Sequence, residues 1–337
     1  MKNFPSAFFR RALIPFSLSI GLIVSSCNDE SDKLPLPQGM DFRQEMRNFV
    51  SEISGYSKSA DPDFIIIPQN GQELVTLNGE SDGPISTEYL DTIDGVGRED
   101  LFYGYDNDDK ATPLAERNYM LGYLAVCEAN GVEVLVTDYC SSHTKMDDSY
   151  SQCATHQFIS FAAPDRDLSL IPNYPLHPFN ENSGVINSLA EAKNFLYLLD
   201  PFTFGTKDAM IDQIVSTNYD VLIIDLFFDE NELTPADVDA LRAKANGGSR
   251  LVICYMSIGE AEDYRFYWQN SWNSERPAWL DAENPDWEGN YKVRYWDAGW
   301  KSIIYGSTTA YLDKILSAGF DGVYLDIIDG FEYFEDY

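Results

Sequence analysis

The stretch "GFDGVYLDIID", residues 319–329, decides how the chain is to be read. Gly319 is a helix-stop residue, a short apolar run follows, and Asp326 stands at its end with Asp329 three places on. A glycine stop, a buried parallel strand and a carboxylate at the strand's C-terminal end are the parts of one βα barrel unit. Working outward, the unit recurs. "RLVICYMSIGE" (250–260) runs into Ser257 and Glu260, "DVLIIDL" (220–226) carries Asp225, and "NFLYLLD" (194–200) ends in Asp200. Nearer the N-terminus, "DFIIIPQNG" (63–71) reaches Asn70, "IDGVGREDLFY" (93–103) reaches Glu99 and Asp100, and "VEVLVTDYC" (132–140) reaches Asp138. "YKVRYWD" (291–297) reads as the remaining strand, ending in Asp297. "FISFAAPD" (158–165) reads as a further strand or a loop, and 166–190 as irregular.

Helical signals alternate with these runs. Phe42, Met46, Phe49, Val50 and Ile53 share one helical face, and residues 114–130 form a helix closed by Gly131. Met210, Ile211, Ile214 and Val215 line another face. Thr234 and Pro235 open a helix that Gly247 closes, and 302–318 is a helix stopped by Gly319. Eight main strands alternating with helices predict an α/β fold, a (β/α)8 TIM barrel. Its active site lies at the C-terminal strand ends, which here carry Asn70, Glu99, Asp138, Asp200, Asp225, Glu260, Asp297 and Asp326. Capping of the following helices is expected to account for about half of them.

Composition narrows the chemistry. The net charge of −32 argues against a nucleic-acid partner, whose phosphates require Lys and Arg. It suits a cationic substrate, and equally a generally acidic surface. No P-loop or strand–GxGxxG–helix unit is present, and three His leave little material for a Ser-His-Asp triad or a His-based metal site. Abundant carboxylates without these motifs point to glycoside hydrolysis, in which one carboxyl group protonates the leaving oxygen and a second attacks the sugar or activates water. No cofactor is expected. Aromatics make up 14% of the chain, some able to stack on sugar faces and more than half expected in the core. Cys140 and Cys153 sit in a C-x2-H-x9-C-x2-H pattern with His143 and His156, open to a zinc site, a disulfide or neither. Neither is the expectation, and no metal is assigned.

Lys2, Arg10 and Arg11 followed by an apolar run at 12–24 form a targeting segment too short to span a bilayer. "VSSC" (24–27) resembles a lipobox, making Cys27 a lipidated membrane anchor, with 28–40 a tether and 41–337 a single domain. The expected location is the outer membrane or cell surface, with the periplasmic face as the alternative, and the expected state is a monomer.

"YMSIGEAEDYRFYW" (255–268), "NPDWEGNYKVRYWD" (284–297), "GFDGVYLDIID" (319–329), "FIIIPQNG" (64–71) and "IDGVGREDLFY" (93–103) together resemble the family 114 glycoside hydrolases, the endo-α-1,4-polygalactosaminidase-like proteins. The resemblance implies a (β/α)8 fold and an endo-acting hydrolase of an amino-sugar polysaccharide. It implies that Asp326 is the catalytic aspartate, as nucleophile or electrostatic carboxylate, and that Glu99 is the general acid/base. Asp225, Asp329, Glu260, Tyr255, Asn70, Asp138 and Asp297 would hold substrate or tune the pair. Ile327 and Ile328 depart from the Asn and Val of characterised members and leave the sugar open. The order of the blocks resembles a circular permutant. In that reading helix 41–58 covers the last strand, strand 322–328 lies beside 64–68, and 158–193 bridges the former ends. The competing reading is a non-catalytic glycan-binding surface lipoprotein on the same barrel.

Overall fold

The computed structural model describes residues 35–337; the targeting segment and Cys27 lie outside the described residues. Eight parallel strands form a ring: β1 (Ile65–Pro68), β2 (Gly95–Glu99), β3 (Glu133–Tyr139), β4 (Ile159–Ala163), β5 (Phe195–Leu198), β6 (Val221–Ile224), β7 (Leu251–Ser257) and β8 (Gly322–Asp326). β1, β8, β7, β6 and β5 are hydrogen-bonded in that order, and so are β2, β3 and β4. Single parallel bridges, Gln69 to Gly97 and Ser160 to Asn194, join the two sheets at both edges. Their short apolar runs are buried on both faces, as a sheet wrapped by helices requires. The result is an α/β, TIM-barrel-like fold. Ile65 faces Gly322 and Pro68 faces Leu325, so the strand at 64–68 and the strand at 322–328 are neighbours. Every closed ring joins its first strand to its last, so this adjacency alone does not separate a permuted chain from an unpermuted one.

One strand differs from the expectation. The barrel is completed by β4, Ile159–Ala163, not by the run at 291–297. Residues 290–293 instead pair antiparallel with 260–262 and 280–283 in a small sheet beside the barrel mouth. The reason is visible in the side chains: "ISFAA" is buried throughout, whereas 290–293 is only partly buried and carries Lys292. The expected bridging segment 158–193 therefore begins with a barrel strand. The helix at 302–318 is also two helices, Ala298–Ile304 and Tyr311–Ala318, separated around Gly306 in a left-handed conformation (φ 103°).

Helix α1 (Phe42–Ala60) is started by the Asp41 side chain, which accepts from the Gln44 N–H at 2.9 Å. It buries Met46, Phe49, Val50 and Ile53 completely, each contributing about 1.5–3 kcal/mol. Tyr56 donates to Asp313 (2.7 Å), in the helix before β8, and Ser54 donates to the Thr92 carbonyl (2.7 Å), just before β2. The helix thus covers the ring where β8 meets β1. A short helix, Gly330–Glu335, leads from β8 to its N-terminal end, where Arg43 pairs with Glu335 at 2.8 Å.

Inside the ring, Gly97 has no room for a side chain: a Cβ there would meet the Tyr324 hydroxyl at 1.9 Å and its ring at 2.4 Å. Tyr324 is fully buried, so its ring has no free space to move into. Gly97→Ala is expected to cost about 1–3 kcal/mol by overpacking. Urea unfolding measures it, and an unchanged midpoint would contradict this close approach.

Candidate active site

The C-terminal strand ends open into a cleft of about 720 Å³. β2 delivers Glu99 and β8 delivers Asp326 to its floor, and both line it. Glu99 is held by three donors. Gln69 donates to Oε2 at 2.5 Å, Asn70 donates to the same oxygen at 3.2 Å, and the Tyr139 hydroxyl donates to Oε1. Asn70 adopts a left-handed backbone (φ 60°) that suits Asn, and so turns its amide toward the carboxylate. Asp326 accepts from the Tyr255 hydroxyl at 2.6 Å. Burial pushes the Asp326 carboxyl up to about 8, with the charges of Glu99 and Asp329 adding to it and the Tyr255 hydrogen bond opposing. A carboxyl group that keeps its proton at neutral pH beside a second carboxyl group is a starting state that carboxylate hydrolysis can use.

Around this pair, Asp329 is pushed up to about 6 by burial and by the charges of Glu260 and Glu73, against Lys292 and Arg98. Glu260 pairs with Lys292 at 2.5 Å and accepts from Asn284 (2.8 Å) and Asn290 (3.3 Å). Lys292 and Asn290 come from the small sheet, whose role is to fix this rim. Asp225 lines the cleft but is bound by Arg265 at 2.5 Å, which also pairs with Glu262 at 2.6 Å. Burial raises the Asp225 carboxyl, and the guanidinium opposes that.

Two expected site residues lie elsewhere. Asp138 is completely buried outside the cleft, accepting from the Phe102 and Tyr103 N–H groups (2.8 and 3.2 Å) and from Ser149 (2.6 Å). It anchors the turn after β2. Side chains alternate along a strand, so it is the neighbour Tyr139, not Asp138, that faces Glu99. Asp297 caps helix Ala298–Ile304 through the Gly299 N–H (2.7 Å), because the segment before it is not a barrel strand. Asp200 likewise caps a short turn through Phe202. Cys140 and Cys153 are free, buried thiols, and His143 stacks on Tyr174 with ring centroids 3.7 Å apart. Gln69 and Tyr139, the neighbours of Asn70 and Asp138, complete the site without any acid–base signature in the sequence.

A TIM-barrel-like ring with two carboxyl groups at its C-terminal mouth is an arrangement that glycoside hydrolysis can use. Residues 182–336 match the family described as Glycoside-hydrolase family GH114. That span holds β5 to β8 with Asp225, Tyr255, Glu260, Asp326 and Asp329; Glu99 and Asn70 lie outside it. An uncharacterized protein of Methanocaldococcus jannaschii is 37% identical over 179 residues, covering 53% of this chain and 49% of that protein. Uncharacterized proteins of Thermotoga maritima and Deinococcus radiodurans are 38% identical over 134 residues and 40% identical over 128 residues. The first match covers 40% of each chain, the second 38% of this chain and 39% of the relative. The chain thus spans about half or less of the length of the curated relatives it matches.

Proposed function

We propose that this protein hydrolyses an amino-sugar-containing polysaccharide internally, with Asp326 and Glu99 as the reacting carboxyl groups. The observation that carries the reading is their convergence from β8 and β2 onto one cleft floor, with the proton on Asp326 and three donors on Glu99. In the free cleft this makes Asp326 the proton donor to the leaving oxygen and Glu99 the carboxylate that attacks or activates water. The roles implied by the resemblance are thereby exchanged.

The cleft wall supports a cationic sugar. Glu73, Asp329 and Glu332 line it together, and Glu332 is pushed up to about 7 by burial and by the other two charges. Sites of one sign concentrate ligands of the other. Tyr105, Tyr119, Tyr264 and Trp287 also line the cleft, as rings that can stack on sugar faces.

The permutation reading is supported by α1, which precedes β1 in sequence yet covers the junction of β8 and β1, and by a family match that begins just before β5. In this proposal the enzyme is a monomer held at the outer membrane or cell surface by lipid on Cys27, a reading supported by "VSSC" at 24–27.

The test is incubation with partly deacetylated α-1,4-galactosamine polymer and other amino-sugar polymers, with product analysis by mass. Oligosaccharide products are expected. Affinity for a polymer without any product would instead support the glycan-binding lipoprotein.

A further inference from the structure

Tyr139 is fully committed between two partners. Its hydroxyl donates to Glu99 Oε1, and its ring lies under the Arg166 guanidinium, 3.8 Å from Cζ to the ring centre. Tyr139 is 1% exposed, so neither contact is an incidental surface one. Arg166 is itself fixed from three sides. It donates to Asp100 Oδ1 (2.8 Å), to the Gly104 carbonyl (3.0 Å) and to Asp108 Oδ1 (2.8 Å). These acceptors belong to the loop that follows Glu99, and Arg166 follows β4. The side chain therefore ties the β2 and β4 loops together across the tyrosine ring.

We propose that Tyr139 is a positioning residue that fixes the place and orientation of the Glu99 carboxylate relative to Asp326, with Arg166 holding the tyrosine in place. A hydroxyl donated to a carboxylate stabilises its charged form. Other groups around the pair are Tyr197 on β5, Tyr255 on β7, Tyr324 on β8, and Asp329. Tyr255 already donates to Asp326, and Tyr197 donates to Gln69 (3.0 Å), so Tyr139 is the hydroxyl directed at Glu99. The coupling runs through charge and distance: a Glu99 carboxylate released from Tyr139 can turn away from Asp326, which weakens the repulsion that raises Asp326.

The inference rests on the hydrolase reading for its kinetic consequence but not for its electrostatic one, and the experiment separates them. The substitution is Tyr139→Phe, which keeps the ring beneath Arg166 and removes only the hydroxyl. The first readout is a carboxyl-carbon NMR titration of aspartate-labelled protein, with Asp326→Asn identifying the resonance. The Asp326 midpoint is expected to fall below its wild-type value, with the melting transition retained. The second is kinetic: kcat is expected to fall about 10- to 100-fold with KM little changed. Arg166→Lys, which keeps the charge but loses the planar fork, is expected to move both readouts in the same direction by less. An Asp326 midpoint at the wild-type value in both variants overturns the proposal, whether or not any polymer is cleaved. A shifted midpoint in a protein that cleaves nothing would uphold the electrostatic role while sinking the hydrolase reading.

Discussion

Asp326→Asn is expected to lower polymer hydrolysis by about 10²–10⁴-fold while the domain stays folded. The loss should be much smaller on a substrate whose leaving group needs no proton, which singles out the donor role. The same substitution should change the pH dependence of stability. The ordinary value of 3.8 is raised to about 8 in the fold. Between those values the folded protein keeps a proton that the unfolded chain releases, so wild-type stability falls as pH rises through that window. Asparagine cannot ionise and escapes this loss. The melting temperature of Asp326→Asn relative to wild type should therefore climb from about pH 4 to about pH 8 and level off above it. A difference independent of pH would mean that the carboxyl is not held protonated.

Arg265→Met carries the largest expected stability effect. Arg265 is 8% exposed and bridges Asp225, at the end of β6, to Glu262, in the strand after β7. Its removal leaves two buried carboxylates without their cation, at a cost of about 3–5 kcal/mol. Because burial raises the Asp225 carboxyl, protonation at lower pH should relieve part of the deficit. Chemical unfolding at neutral and acidic pH measures both effects. A loss below about 1 kcal/mol would place this ion pair among surface-like pairs.

The barrel was legible because its strands are short, buried on both faces and punctuated by acids, a pattern that survives without any contact information. The difference at 291–297 falls where periodicity is least informative. A half-buried antiparallel strand and a barrel strand both read as short β-rich runs, and only the charge on Lys292 separates them. Helix His143–His156 is signalled only by Met146, Tyr150 and Cys153 at helical spacing, a stripe broken by polar and charged residues on its other faces. Within the site, the acids that face the cleft and those that cap turns have the same sequence appearance. Asp138 is next to last in β3 and Asp326 last in β8, but Asp138 points toward Ser149 behind the sheet and Asp326 toward Tyr255 inside it. A one-residue difference in strand phase decides between a buried anchor and a carboxyl group that lines the cleft. The neutral donors Gln69 and Tyr139 carry no chemical signature of their own and become visible only once Glu99 is placed.

The most direct test is hydrolysis by Glu99→Gln, because Glu99 lies outside the GH114 span and its partnership with Asp326 rests on the folded geometry. Release of reducing ends from an amino-sugar polymer that the wild type cleaves is predicted to fall at least about 100-fold, with the melting transition retained. Turnover near that of the wild type would contradict the two-carboxylate site.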